Sequence, residues 1–389
     1  MNFVVTDLGA SSTRVVSELG VISTIPNNMV YLGELDKVDL EPHITGESAG
    51  DDFRASMDIS IRKTSGSNSD FFPCRVLVGE LADRFSSVNT RPSVLNNKSA
   101  QKINYISAIL AVTYEVLVNG VPGDAIDLYV ALPPTEVKNA KELVAERLVG
   151  SYEVRLNKSD STVTFNIKNV ICAEESVMAL FSFYFNMNGT VNKSSVEYTE
   201  GNIMSLDVGA STTDIAVSKD KKYLEKSGQT FKTGGNIIQS YMASVIRGQF
   251  GYDATDEALL EVVATGRLRR GNKYIDMSKE LGQAKREFAR SIIEQIQNYF
   301  RLVNIPLQDI RAIVVSGGGS ITSGYTDKDT GEFIQTCEPV SHFITEALKD
   351  IVDSVDVISI TEEPRYANIR GLYVKATVDM YKKKRAGAV

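Results

Sequence analysis

"FVVTDLGASSTRVV" (residues 3–16) and "SLDVGASTTDIAV" (residues 205–217) are nearly the same text written twice. Each has an apolar run, an Asp, a tight turn of Gly, Ala, Ser and Thr, and a second apolar run. Asp7 and Asp207 head the two copies, and the string Gly-Ala-Ser-Ser/Thr-Thr follows each in register. One such turn between two strands is an ordinary hairpin. Two of them, half a chain apart with matched Asp and matched spacing, predict a duplicated domain with a ligand held between the copies.

The turn chemistry suggests what that ligand is. Gly lets the chain adopt positive φ and approach a ligand closely. A run of outward backbone amides forms a nest for phosphate oxygens, and Ser and Thr add hydroxyl donors. The candidate nests are Gly9, Ala10, Ser11 and Ser12 in the first copy and Gly209, Ala210, Ser211 and Thr212 in the second. A carboxylate repels phosphate, so Asp7 and Asp207 make sense near a Mg²⁺ or its bound waters. Arg14 either reaches back to a phosphate oxygen or is an exposed strand residue. A third glycine turn, Gly317, Gly318 and Gly319, follows the valine-rich run in "AIVVSGGGSITSG" (residues 312–324). Backbone without side chains at a strand C-terminus admits a flat ring or a ribose, and ligands of α/β sheets sit there.

Outward from these turns, strands and helices alternate in both halves, which predicts an α/β fold. Strands are expected at residues 2–6, 14–19, 21–26, 125–134, 151–155 and 162–167. Helices are expected at 99–120, at 135–150 and after the Glu pair of "NVICAEESVMALFSFYF" (residues 169–185). Residues 27–98 are polar and Gly/Ser-rich at first and read as an inserted small subdomain. Residues 193–201 read as a polar hinge. The expected division is a first domain over 1–185 and a second over 186–389. Within the second, 252–305 reads as a helical subdomain, and the closing helix, "YANIRGLYVKATVDMY", belongs to the same half.

Composition narrows the function. The net charge of −7 argues against a protein that coats nucleic acid. Three cysteines, odd in number and far apart, give neither a zinc spacing nor a disulfide framework, and fit a reducing cytoplasm. Only two histidines, His43 and His342, disfavour a His-centred triad. Asp7 interrupts any leader peptide. No apolar run approaches the roughly 18 residues that a membrane span needs. The basic run Lys382, Lys383, Lys384 and Arg385 is either a frayed solvated tail or a contact for an acidic surface, DNA or a neighbouring subunit.

The order of "DLGASST", "AEESVMAL", "LDVGASTTD", "KTGGN", "AKREF", "VSGGGS" and "ANIRG" resembles the superfamily of actins, sugar kinases and heat-shock-chaperone ATPases. Within it the chain is similar to bacterial actin-like proteins of the plasmid-segregating ParM type, over nearly its whole length. The resemblance implies two duplicated actin-like, ribonuclease H-like domains with a nucleotide cleft between them. It implies ATP, with GTP open, and Mg²⁺ as cofactors. It places the water-positioning carboxylate on Glu175, with Glu174 before it. From the residues alone, two acids in a first helical turn equally serve the positive helix end. The resemblance sets Gly234, Gly235 and Asn236 at ribose and phosphate. It sets Lys285 and Arg286 near adenine and ribose, where a solvated basic helix face is the other reading. Ala10 stands where many actins carry Ser, and Ser11 and Ser12 are the hydroxyls left to replace it. Gly371, in the second connecting segment, reads as a close helix contact.

The function implied is an ATPase that polymerises head to tail and moves plasmid DNA through a DNA-binding adaptor of the ParR type. This chain itself touches neither DNA nor membrane and is expected in the cytoplasm. A non-polymerising small-molecule kinase or ATPase of the same fold is the alternative. No motif for a sugar site is present, and no peptide-binding domain is expected beyond the closing helix.

Overall fold

In the computed structural model the described residues are 2–10, 12–32, 56–67, 71–84, 97–157, 161–349, 351–352, 354–360 and 363–387. The chain divides into two compact units, Met1–Thr190 with Asn368–Val389, and Val191–Ala367.

The first unit is built on β1 (Asn2–Leu8), β2 (Ser12–Ser17), β3 (Ser23–Pro26), β4 (Met29–Leu32), β5 (Ser56–Lys63), β6 (Cys74–Gly79), β7 (Ile126–Leu132), β8 (Gly150–Leu156) and β9 (Ser161–Glu174). They form one sheet in the order β3-β2-β1-β7-β9-β8-β5-β6-β4. β1, β7 and β9 run parallel, while the pairs around them are antiparallel. Parallel neighbours need crossovers. The helices α1 (Glu80–Arg84), α2 (Lys102–Leu117), α3 (Pro134–Leu148) and α4 (Glu175–Tyr184) lie along this stretch of chain. β7 reads IDLYVAL, and every residue in it is buried, as a central parallel strand requires. Its one charged residue, Asp127, accepts from Asn169 Nδ2 at 2.7 Å and from Lys383 Nζ at 2.6 Å. Ile106, Ile109 and Val112 of α2 share a core with Val4, Val15, Leu128 and Val130 of the sheet.

The second unit repeats the central pattern. β10 (Asn202–Val208) pairs antiparallel with β11 (Thr213–Lys219) and parallel with β16 (Ile310–Ser316), which pairs parallel with β19 (Asp356–Ser359). This order, β11-β10-β16-β19, matches β2-β1-β7-β9 of the first unit. The short strands β12 (Lys222–Tyr223) and β13 (Gln229–Phe231) both pair with β11. Two hairpins, β14 (Arg267–Arg270) with β15 (Lys273–Asp276) and β17 (Ser323–Thr326) with β18 (Phe333–Cys337), stand apart from the sheet. The helices are α5 (Asn236–Phe250), α6 (Asp256–Thr265), α7 (Ser278–Val303) and α8 (Val340–Leu348). α7 buries Leu281, Phe288, Ile292, Ile296 and Phe300 at helical spacing, and Asn304 in the left-handed region ends it.

The described part of the inserted segment, β4 to β6, joins the main sheet through β8. Two expectations differ from the structure. The stretch 252–305 is interrupted by the β14–β15 hairpin, where Gly266 in the left-handed region ends α6 and Leu268 buries while Arg269 and Arg270 face out. The closing helix α9 (Ala367–Arg385) packs with the first unit, not the second. Lys383 bonds Asp127, Tyr129 Oη donates to Asp379 at 3.5 Å, and the rings of Phe3 and Tyr373 lie 5.7 Å apart. Gly371 abuts the Met178 carbonyl so closely that no side chain fits there. The basic run therefore continues a helix through Arg385, with Lys383 anchored to the sheet.

Candidate functional site

In the second unit, the Gly209 amide closes the turn onto the Thr212 carbonyl at 2.9 Å. The Gly209 carbonyl accepts from the Gly235 amide at 2.9 Å, and the Ala210 carbonyl accepts from the Asn236 amide at 2.7 Å. A trans peptide points its N–H opposite to its C=O. Tying both carbonyls back to the start of α5 therefore turns the Ala210 and Ser211 amides outward together. Neither amide has an intramolecular acceptor among the described residues. Two adjacent outward amides suit an oxyanion. Gly234 packs against the backbone of Ala210, Ser211 and Thr212, where a Cβ would approach to 2.6 Å. Gly234, Gly235 and Asn236 thus support the turn through their backbone.

Beneath this turn, Asp207 on β10 stands directly opposite Asp214 on β11. Both are buried, and each offers a carboxylate oxygen within 4.8 Å of the other's. Ser316 Oγ donates to Asp207 at 3.2 Å, and Thr212 Oγ1 donates to Asp214 at 3.3 Å. Like charges directly opposite in a sheet repel, and burial sharpens the repulsion. Two carboxylate oxygens below a phosphate nest are the hard donor set that Mg²⁺ takes, so the residues present fit that ion. The glycine loop after β16 closes on the same strand end. Gly317 has φ +88°, a value that disfavours any other residue, and its amide donates to the Pro364 carbonyl at 3.1 Å. A Cβ on Gly317 would overlap the Val208 carbonyl and the Asp207 carboxylate. Gly319 packs on Val208, whereas a side chain at Gly318 would meet nothing within 4 Å.

In the first unit, the Gly9 amide closes its turn onto the Ser12 carbonyl at 3.1 Å. The Gly9 carbonyl is held by Asn27 Nδ2 at 2.6 Å, and Ser107 Oγ on α2 bonds Asn27 Oδ1 in turn. Asn27 is fully buried and does for this turn what the start of α5 does for the other, turning the Ala10 amide outward. Ser11, an expected hydroxyl donor, lies outside the described residues. Ser12 opens β2 opposite Pro26. Across the hairpin Asp7 faces Arg14, whose Nη1 lies 2.9 Å from Asp7 Oδ2. In this contact the guanidinium neutralises Asp7. The two hairpins therefore differ in charge, acid against base in the first and acid against acid in the second.

Glu175 is the first residue of α4 and is buried, with the Lys98 ammonium on its Oε1. Lys285 is 1% exposed. It is buried in α7, donating to Ser323 Oγ and to the Glu338 carbonyl, both at 2.8 Å. Burial lowers its pKa below the ordinary lysine range, while Cys337 opposes that shift. These bonds tie α7 to β17 and to the residue that follows β18. Arg286 is half exposed, pairs with Glu346 at 3.1 Å and lies over the Phe343 ring.

Asp214, Asn27 and Lys98 were absent from the residues expected at the site. Asp214 had a signal, since pairing the two strands of the quoted hairpin sets it across from Asp207. Asn27 and Lys98 had none, because their contacts join segments far apart in sequence.

Residues 205–324 match the family model described as the archaeal actin homologue MreB-like, C-terminal. No curated protein sequence matches the chain. Among solved structures it is similar to the actin-like protein Alp7A, with 18% identity over 99% of this chain and 98% of that one and a TM-score of 0.72. It is similar to a ParM of a 15-stranded filament from Clostridium botulinum, with 19% identity over 97% and 99% of the two chains and a TM-score of 0.65. An archaeal actin homologue, solved in complex with ADP, gives 17% identity over 97% and 99% with a TM-score of 0.64. The fold is that of the actin-like proteins, from end to end of the chain. Among the described residues no helix is long and apolar enough to cross a membrane.

Proposed function

We propose that this chain is an actin-like nucleoside triphosphatase that binds ATP, with GTP open, together with Mg²⁺, and polymerises head to tail with copies of itself. The observation that carries this reading is the buried Asp207–Asp214 pair under the outward amides of Ala210 and Ser211. A carboxylate pair of like charge beneath an oxyanion nest is explained by a divalent cation and a phosphate. Mg²⁺ bound there would neutralise charge on the phosphate oxygens. Gly9 and Ala10 form the counterpart turn of the first unit, with Asp7 held by Arg14. Glu175 accepts from the water that attacks the terminal phosphate and so orients it, as a positioned carboxylate does. Gly318 leaves room for ribose or base, and Arg286 is the remaining side chain of the expected adenine set.

A head-to-tail contact between identical copies does not close and yields a filament. Binding of the triphosphate would favour the polymerising state, and hydrolysis would weaken it. The ParM filament among the structural neighbours supports this reading of the fold. The cargo we infer is plasmid DNA, reached in the cytoplasm through a ParR-type adaptor, which fits a chain of net charge −7.

The test is light scattering after addition of Mg-ATP or Mg-GTP, with phosphate release followed in the same sample. Scattering that rises above a critical protein concentration and decays as phosphate appears is the expected result. Steady turnover proportional to protein, without scattering, would replace this reading with a soluble kinase or ATPase. Glu175→Ala should bind nucleotide, hydrolyse it about a hundredfold more slowly and give longer-lived filaments. Wild-type hydrolysis in that variant would move the role elsewhere, with Glu174 next in line.

A further inference from the structure

Glu175 is held by a turn that is itself elaborately held. Lys98 opens a three-residue 3-10 turn, Lys98–Ala100, just before α2. So short a turn does not fix a side chain unaided. Here Glu136, in the first turn of α3, accepts from the Lys98 amide at 2.9 Å and from the Ser99 amide at 2.7 Å. The Ser99 carbonyl accepts from Tyr105 Oη at 2.6 Å and from Arg147 Nη1 at 3.1 Å, and the Lys98 carbonyl accepts from Asn104 Nδ2 at 3.0 Å. The peptide groups flanking Lys98 are thus gripped on the donor and the acceptor side. Glu136 is buried, and a buried carboxylate is costly unless its bonds repay desolvation. What this arrangement delivers is one ammonium, set on a carboxylate 77 residues away in sequence.

We propose that Lys98 is a positioning residue for hydrolysis: its ammonium fixes the Glu175 carboxylate in the one orientation that meets the attacking water. This rests on the reading of Glu175 given above. A reacting geometry that loosens by about 1 Å loses roughly a hundredfold in rate, and a supporting contact of this kind acts on turnover rather than on ligand affinity.

The test uses the full chain with Mg-ATP as probe, and measures kcat, ATP affinity and thermal stability for K98M, K98R, E175A and K98M/E175A. K98M should lower kcat by about tenfold or more and leave ATP affinity within about twofold. K98R should regain most of the loss. In the E175A background K98M should change nothing further, the non-additivity expected of residues that act as one unit. Glu136→Gln, which disturbs the turn and leaves the Lys98 side chain unchanged, should fall between wild type and K98M. It stands in for K98M if that variant does not fold. Wild-type turnover in K98M or in Glu136→Gln would overturn the proposal, as would full additivity in the double variant. A loss of ATP affinity that accounts for the whole effect would also overturn it and make Lys98 a nucleotide contact. Failure of the Glu175 reading appears separately, as wild-type turnover in E175A.

Discussion

Asp214 and Arg14 occupy the same register position in the two hairpins, opposite Asp207 and Asp7, yet they carry opposite charges. The first is an ion pair within the protein; the second is the carboxylate pair to which the proposed function assigns Mg²⁺. Asp214→Asn should therefore act in two directions. Without metal it should raise the melting temperature, because a buried repulsion is removed. With Mg²⁺ and nucleotide it should bind at least about tenfold more weakly, or about 1.4 kcal/mol. Melting curves and nucleotide titrations with and without Mg²⁺ check both, and a variant that is destabilised in both conditions would contradict the cation role. Asp207→Ala should lose Mg²⁺-dependent nucleotide binding in the same titration. Gly317→Ala combines positive φ with overlap on Val208 and Asp207, and should cost about 1–3 kcal/mol in urea unfolding. At this scale the glycines and the two aspartates were legible in the sequence, since they repeat in register. Arg14 and Lys285 were not. A long cationic side chain reaches many places, and only the fold shows that one ends on Asp7 and the other on Ser323 and Glu338.

α2 lies against β1 and β2 and carries an acid, Glu115, that is fully buried in its last turns. One carboxylate oxygen accepts from Asn119 Nδ2 at 2.9 Å, while the other has no hydrogen-bond partner among the described residues. Burial raises its pKa, bonds from Ser17 and Asn119 oppose the rise, and the Glu18 charge adds to it. A raised folded-state pKa means that the unfolded chain gives up this proton first. Stability from this site is then present below the unfolded value and declines as pH rises through the folded one. Glu115→Gln should thus gain stability at pH 7.5 relative to wild type, with a smaller gain at pH 4. Equal effects at the two values in urea melts would show that the group does not titrate differently on folding. Helices and strands were readable where one period ran long, as in α2, β7 and α7. The β14–β15 hairpin was not, because four-residue strands rich in Arg and Lys lack the alternating apolar pattern that marks a strand. The strand expected at 162–167 is β9 cut short, because Asn166, Lys168 and Asn169 look like a break and are in fact strand continuing to Glu174.

At the level of the molecule, the duplication was visible in the sequence, and the attachment of α9 to the first unit was not. Nothing in "VKATVDMYKKKR" states that Lys383 will meet Asp127, 256 residues earlier. Lys383→Met should leave the Asp127 carboxylate with Asn169 as its named donor, and should cost about 2 kcal/mol in urea unfolding, a figure reduced because Lys383 is a third exposed. An unchanged midpoint would show that α9 is held by Tyr373 and the apolar contacts alone. The same helix orders the events of synthesis. Unit 2, Val191–Ala367, is one continuous stretch of chain, whereas unit 1 is interrupted and completed only by Asn368–Val389. A ribosome making this protein from the N-terminus releases every residue of the second unit before the helix that lies against β7 of the first has emerged. The half that starts first is thus the last to be finished, and β7 with Asp127 is the surface that waits for it.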